Sequence, residues 1–242
     1  MGLMFKDTDT LNPVTGCDHS CDYCYARDMM QKLVERAKPG HKYYMATFAP
    51  TFHEATVKTP MPGRNGRYFV SSMGDLFGEW VPPSWIHRVL EWCGAADESN
   101  TFMFLTKNPE RYLELEQQSI GILTRKNFLW GATVETDLHE IARSKSAAPG
   151  VLRRLEAMKE LKNTVRDGEI RTFICIEPVM KFSTAKEFAA LIAETSPELV
   201  YLGYDNHDTG LDEPSKEEFK ELYLELEKHA IQVDIKTSRG VF

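Results

Sequence analysis

Between residues 67 and 235, short β-rich runs alternate with amphipathic stretches of ten residues or more, and that alternation leaves few folds open. The strand-like runs are 67–73 (RYFVSSM), 101–106 (TFMFLT), 128–134 (FLWGATV), 171–176 (RTFICI), 199–203 (LVYLG) and 231–235 (IQVDI). Helical patterns lie between them. One runs from Pro83 through Ile86, Val89, Leu90 and Trp92, and another starts near Pro109 and Glu110. A third sets Leu152, Leu155, Met158 and Leu161 at core spacing, a fourth surrounds Phe188, Leu191 and Ile192, and a fifth covers 214–229. Strands separated by helices pair in parallel through right-handed crossovers. Six or seven such units are too few to close an eight-unit barrel. The expectation is an α/β fold: an open, partial parallel β/α barrel of about six units, with active groups at the carboxyl ends of its strands by analogy with the full barrel. No repeat or low-complexity linker interrupts the 242 residues, so a single domain over 1–242 is expected.

Ahead of this pattern stands the stretch 12–26, NPVTGCDHSCDYCYA. Cys17, Cys21 and Cys24 fall within eight positions, with three residues and then two between them. Three thiols cannot close into a set of disulfides, and they are one short of the four ligands of a structural zinc site or an ordinary iron–sulfur cluster. A four-iron cubane on three cysteines leaves one iron open to a substrate or cofactor. Gly16 allows the tight turn into the loop. A helix is expected over 25–37, with Met29, Met30, Leu33 and Val34 as core, and a short helix over 51–57 within the irregular stretch 41–67.

Cys-x3-Cys-x2-Cys with an aromatic residue, Tyr23, before the last cysteine resembles the signature of the radical S-adenosylmethionine (SAM) superfamily. The flanking segments NPVTGC at 12–17, SMGDLF at 72–77, LTKNP at 105–109 and IEP at 176–178 resemble a phage-linked branch of it, over roughly residues 9–206. The resemblance implies a 4Fe–4S cluster on Cys17, Cys21 and Cys24, with SAM chelating the open iron and Tyr23 beside its adenine. It implies a reduced cluster that cleaves SAM to a 5′-deoxyadenosyl radical, which abstracts hydrogen from a substrate. An electron donor such as flavodoxin or ferredoxin is implied as partner.

Strand ends supply the other candidates. Ser72, Met73, Gly74 and Asp75 match the segment that holds the SAM amino group in that superfamily, although its usual Gly-Gly-Glu is absent. The alternative for Asp75 is a turn cap. Lys107 is read either as a partner for the SAM carboxylate or a substrate anion, or as a solvated loop lysine. Side chains alternate along a strand, so Gly131, Thr133 and Glu135 share one face, as do Phe173, Cys175 and Glu177. Small and polar residues on that face predict a ligand cavity rather than a packed centre. Thr133, Glu135 and Glu177 are candidate SAM contacts. Cys175 is a candidate hydrogen-atom donor, weighed against a small buried apolar residue, and Tyr204 and Asn206 are candidate substrate contacts. His19 is read as a loop filler.

The net charge of −7 argues against broad, sequence-independent nucleic-acid binding but leaves a local basic groove open. The substrate classes left are a nucleotide or nucleic-acid base and, alternatively, a peptide or small metabolite. A rival of another class is a non-catalytic metal module in which His19 or Cys93 completes a zinc site. No apolar run reaches the roughly 18–20 residues that span a bilayer, and the first ten residues lack a secretory pattern. A cytoplasmic protein with no membrane contact is expected, and five cysteines, three of them clustered, fit its reducing milieu.

Overall fold

The computed structural model describes residues 7–41, 43–61, 63–164 and 170–241, the side chains of 116–120 excepted. The first six residues, part of the stretch read as lacking a secretory pattern, lie outside it. In chain order the elements are β1 (Asp9–Leu11), β2 (Val14–Thr15), α1 (Tyr25–Arg36), β3 (Thr51–Phe52), α2 (Glu54–Lys58), β4 (Arg67–Val70) and α3 (Pro83–Gly94). Then come β5 (Thr101–Thr106), α4 (Glu110–Leu123), β6 (Phe128–Thr133), α5 (His139–Lys145), α6 (Val151–Thr164) and β7 (Thr172–Ile176). The chain finishes with α7 (Ala185–Ala193), β8 (Leu199–Gly203), α8 (Lys216–Lys228) and β9 (Gln232–Thr237).

Seven strands form one curled parallel sheet in the order β1-β4-β5-β6-β7-β8-β9, and β2 pairs antiparallel with β3 beside it. This is the open partial barrel that the alternation predicted, with the short β1 as an additional strand ahead of the cysteines. No described helix is long and apolar enough to cross a membrane.

The two faces of the sheet carry different cores because side chains alternate. Tyr68, Val70, Phe102, Phe104, Phe128, Trp130, Ile174, Ile176, Val200 and Leu202 point outward into the layer of helices. There Phe104 stacks on Trp130 with centroids 4.9 Å apart, and Phe77 meets Tyr112 edge-on at 4.7 Å. Such aromatic pairs add roughly 0.5–1.5 kcal/mol each to the burial of their area. The inward face carries a smaller core of Phe69, Met103, Leu129, Phe173, Cys175, Leu199 and Tyr201.

That inner core corrects one expectation. The space over Gly131 is not a cavity, because β7 sets Phe173 opposite it in register and a Cβ at 131 would lie 2.2 Å from the Phe173 ring. The lower barrel is packed, with Arg67 donating to Tyr201 Oη at 2.8 Å, and the candidate polar groups Thr133, Glu135 and Glu177 stand in the layer above. A second correction concerns α6, whose buried face is Val151, Leu155, Met158 and Leu161, with Leu152 exposed. The short helix expected over 51–57 begins later, as α2 over Glu54–Lys58, with β3 at Thr51–Phe52 ahead of it. Local chemistry sets other boundaries: Pro83 opens α3, Thr184 accepts from Glu187 N at the start of α7, and Ser215 and Glu218 form a reciprocal capping box on α8.

Candidate active site

The cysteine loop is fastened across the carboxyl end of β4. Gly16 N donates to Met73 O at 2.9 Å and Gly16 bridges Gly74 in parallel. Both glycines are required by the approach. Gly16 has φ +86° and a Cβ there would lie 2.2 Å from Ala49 O, while a Cβ on Gly74 would lie 2.6 Å from Gly16 O. Asn12, just ahead of the loop, accepts through Oδ1 from Met73 N at 2.9 Å and from Ser72 Oγ at 3.2 Å. Tyr25, directly after the last cysteine, donates to Ser72 O. The loop and the β4 end therefore form one unit.

Asp75 is its junction. The buried carboxylate accepts from Phe77 N at 2.9 Å, from Thr106 Oγ1 at 2.8 Å and from Lys107 N at 3.0 Å. His19 Nε2 donates to it at 2.9 Å from inside the cysteine loop, with its ring edge-on to Trp80. Burial opposes ionisation of Asp75, but hydrogen bonding and attraction from His19, with the Lys107 amide and Thr106 hydroxyl, hold the carboxyl below its usual value. His19 is thus a clasp rather than a filler, and Asp75 spends both oxygens on protein donors.

A second buried carboxylate stands at the end of β6. Glu135 accepts from Tyr23 Oη and Lys107 Nζ through one oxygen and from Arg154 Nη1 at 2.7 Å through the other. Burial would raise its pKa, but the charges of Arg154 and Lys107 and the Lys107 and Tyr23 hydrogen bonds hold it far below the carboxylate range. Lys107 is not a solvated loop lysine: its ammonium also lies over the Tyr23 ring, 5.2 Å from the centroid. Arg154 is fully buried, and its Nη1 and Nε also donate to Thr133 O at 3.0 Å and Pro149 O at 2.6 Å. Two cations face one carboxylate here, beside the cysteine loop.

At the end of β7, Glu177 accepts from Asn206 Nδ2 at 2.9 Å through Oε1, while Oε2 is buried without a partner. Burial pushes its pKa up to about 7, against the opposing pull of Lys236 and Asn206. Cys175 lies fully buried one layer below, its thiol pushed up by burial first and by Glu177 next. Thr133, also lumenal, is buried beside Glu135.

The substrate role expected of Tyr204 is corrected by its direction. Its ring stacks on Phe219 in the outer layer at 4.4 Å and its hydroxyl donates to Ser215 O. Carrying the alternation of Val200 and Leu202 forward two residues would have shown this. Asn206 does reach the mouth, held between Glu177 and Thr237. His207, in the same loop after β8, stacks on Tyr25 with centroids 5.8 Å apart, so the 204–208 loop touches the residue that follows the cysteines. Met73 turns its side chain under α1 among Ala26, Met30 and Tyr43, leaving its backbone and that of Ser72 and Gly74 at the strand end.

All five cysteines are free thiols. Cys17, Cys21 and Cys24 lie close enough for Cys21 and Cys24 to raise the Cys17 thiol, after burial and Asp75. Among the described residues no three His, Cys, Asp or Glu side chains stand as a preformed metal site. The donor set nonetheless fits a three-cysteine cluster, because three soft ligands share one short loop, and the neighbouring thiols oppose ionisation of Cys17 and Cys24 until a cation joins them. Of the two extra ligands of the zinc alternative, Cys93 is remote from the loop, while His19 stays beside it with Nε2 on Asp75. Cys93 sits in the outer core, its thiol raised by burial alone.

Residues 5–183 match the model of a family described as protein of unknown function, DUF5131. The chain belongs to this family. Its fold is also that of a crystal structure of a radical SAM methyltransferase from Sphaerobacter thermophilus. That match has a TM-score of 0.52 and 14% identity, and it covers 99% of this chain and 69% of the other. A second solved structure, described as a fructose-1,6-biphosphate aldolase from Coccidioides immitis, aligns over 94% of this chain and 67% of its own. Its TM-score of 0.38 and 9% identity are too low to bear on the fold. A search of curated proteins found no match.

Proposed function

We propose that this DUF5131 chain works as one domain and is a radical SAM enzyme of the phage-linked branch that its motifs resemble. The observation that carries the reading is the placement of three thiols on one loop, sealed by Gly16 and Gly74 onto the carboxyl end of a parallel half-barrel. A 4Fe–4S cluster with SAM bound there supplies, once reduced, a 5′-deoxyadenosyl radical for hydrogen abstraction.

The protein's own part is to hold, orient and exclude water. Cys17, Cys21 and Cys24 would ligate the irons. The backbone of Ser72 and Gly74 lies where an ammonium needs acceptors. Lys107 carries the positive charge for a carboxylate, and Tyr23 beside it offers an aromatic face. Asp75 and Glu135 act at one remove: the first ties His19 to the β5 end, and the second fixes Lys107, Tyr23 and Arg154. Thr133 and Glu177 line the next layer. Substrate would reach the site past Asn206 and the His207–Tyr25 stack, which has to part to admit it. A nucleotide or nucleic-acid base leads the substrate classes, with a peptide or small metabolite second. A flavodoxin or ferredoxin would supply the electron, and the setting is cytoplasmic.

Anaerobic reconstitution tests the reading. The protein should turn brown, hold about four irons, as three cysteines and SAM require, and release 5′-deoxyadenosine from SAM on reduction. Cys24→Ala should abolish iron uptake and SAM cleavage together. Colourless protein carrying one zinc and inert toward SAM would overturn the proposal.

A further inference from the structure

Residues 145–148, between α5 and α6, lie along the outer side of the cysteine loop in a fixed register. Asp22 N donates to Lys145 O at 2.9 Å and Ala147 N donates to His19 O at 2.7 Å. Between those two bonds Ser146 faces the loop, and its Oγ stands 3.1 Å from Cys21 Sγ. Ala148 N donates to the same Oγ at 3.1 Å. One lone pair of the hydroxyl is thereby occupied, and its hydrogen is free for an acceptor. Two acceptors are in reach: Cys21 Sγ, and His19 O at 3.4 Å, which already receives the Ala147 amide. A contact of 3.4 Å is long for an oxygen acceptor, whereas 3.1 Å is close for a sulfur, so Cys21 is the better served. Both residues are buried, while the other side of the segment borders a cavity of about 580 Å³ that Ser20, Asp22, Arg143 and Lys145 also line.

We infer that the Ser146 hydroxyl donates to the sulfur of Cys21 and thereby sets the reduction potential of the cluster that Cys17, Cys21 and Cys24 hold. The inference rests on the function proposed above. Reduction adds negative charge that spreads onto the ligand sulfurs, and a donor aimed at one of them stabilises the reduced state more than the oxidised one. The hydroxyl stands 3.1 Å from that sulfur, and alanine at 146 would remove this donor from it. Ser146 is a positioning residue; it touches a ligand and not a reacting atom.

The test is a redox titration of reconstituted protein followed by electron paramagnetic resonance, with iron measured on every sample. Ser146→Ala should keep the iron content of the parent protein and move the midpoint to more negative potential. At a fixed potential its reduced-to-oxidised ratio should fall several-fold, a tenfold fall being about 59 mV for one electron. Ser146→Thr, which keeps the hydroxyl, should stay near the parent. An unshifted midpoint in Ser146→Ala at full iron content would overturn the inference and leave the proposed function standing. Loss of iron from Ser146→Ala but not Ser146→Thr would also overturn it, assigning the hydroxyl to cluster retention. Failure of the parent protein to take up iron would instead remove the reading beneath both.

Discussion

Glu135, buried, and Glu177, half-buried, are carboxylates one strand apart with opposite acidities, and the difference lies in their partners. Glu135 has two cations and a phenol; Glu177 has an amide and one unsatisfied oxygen. Replacing Glu135 by Gln strands Arg154 in the interior, a loss on the order of 3–5 kcal/mol for a broken buried pair. A large fall in the urea midpoint should report it. Arg154→Met should cost less, because Lys107 and Tyr23 still serve the carboxylate. For Glu177 the pH dependence has a definite sign. Its pKa rises from the ordinary 4.5 to about 7 on folding. Between those values the native state binds more protons than the unfolded chain, so stability should fall as pH rises through that window, by up to ~3 kcal/mol. Urea titrations from pH 5 to pH 8 should show the decline, and Glu177→Gln should flatten it. Neither environment was legible beforehand. The alternation along β6 and β7 put both acids on the lumenal face, but Arg154 lies 19 positions beyond Glu135 on a helix where a charge ordinarily marks the solvent side.

At the level of elements, the loop-to-strand junction is the most constrained. A methyl group on Gly74 would sit 2.6 Å from the Gly16 carbonyl oxygen, a backbone atom that cannot swing aside. Gly74→Ala should cost ~1–3 kcal/mol and lower iron occupancy after reconstitution by more than its loss of stability explains, since it displaces the cysteine loop itself. Gly121, exposed in α4 with open space around it, is the control. Gly121→Ala should raise the melting temperature, through up to ~1 kcal/mol of helix propensity, without affecting iron. The sequence marked Gly16 as a turn residue and Gly74 as part of a motif, but their meeting depends on β1 pairing with β4 and was invisible. Element boundaries were more readable: 199–203 coincides with β8, and Pro83 opens α3 as its place suggested. Where the reading failed on α6, the error was one position, because Leu152 sits beside Val151 on a helix whose buried arc takes the valine.

For the whole molecule, the alternation of strands and helices was enough to predict a parallel half-barrel, because so few topologies satisfy right-handed crossovers. It could not foresee that the lower lumen is filled, which follows from register placing Phe173 over Gly131. Stability should be distributed accordingly. Backbone amides of β5 through β8, flanked by both cores, should exchange most slowly. The region of α1 and 43–48, packed through a separate small cluster around Met30, Tyr43 and Met73, should open first. Hydrogen exchange read by mass spectrometry would display the order, and uniform exchange across both regions would contradict it. Asp75 carries a consequence beyond stability. Its oxygens gather donors from His19, Thr106 and the Lys107 amide, three sites that the chain brings together from 56, 31 and 32 residues away. Positions 19, 75 and 106 should therefore change together among descendants of this chain: without the acid the histidine has no partner there, and a changed histidine leaves the acid needing another donor.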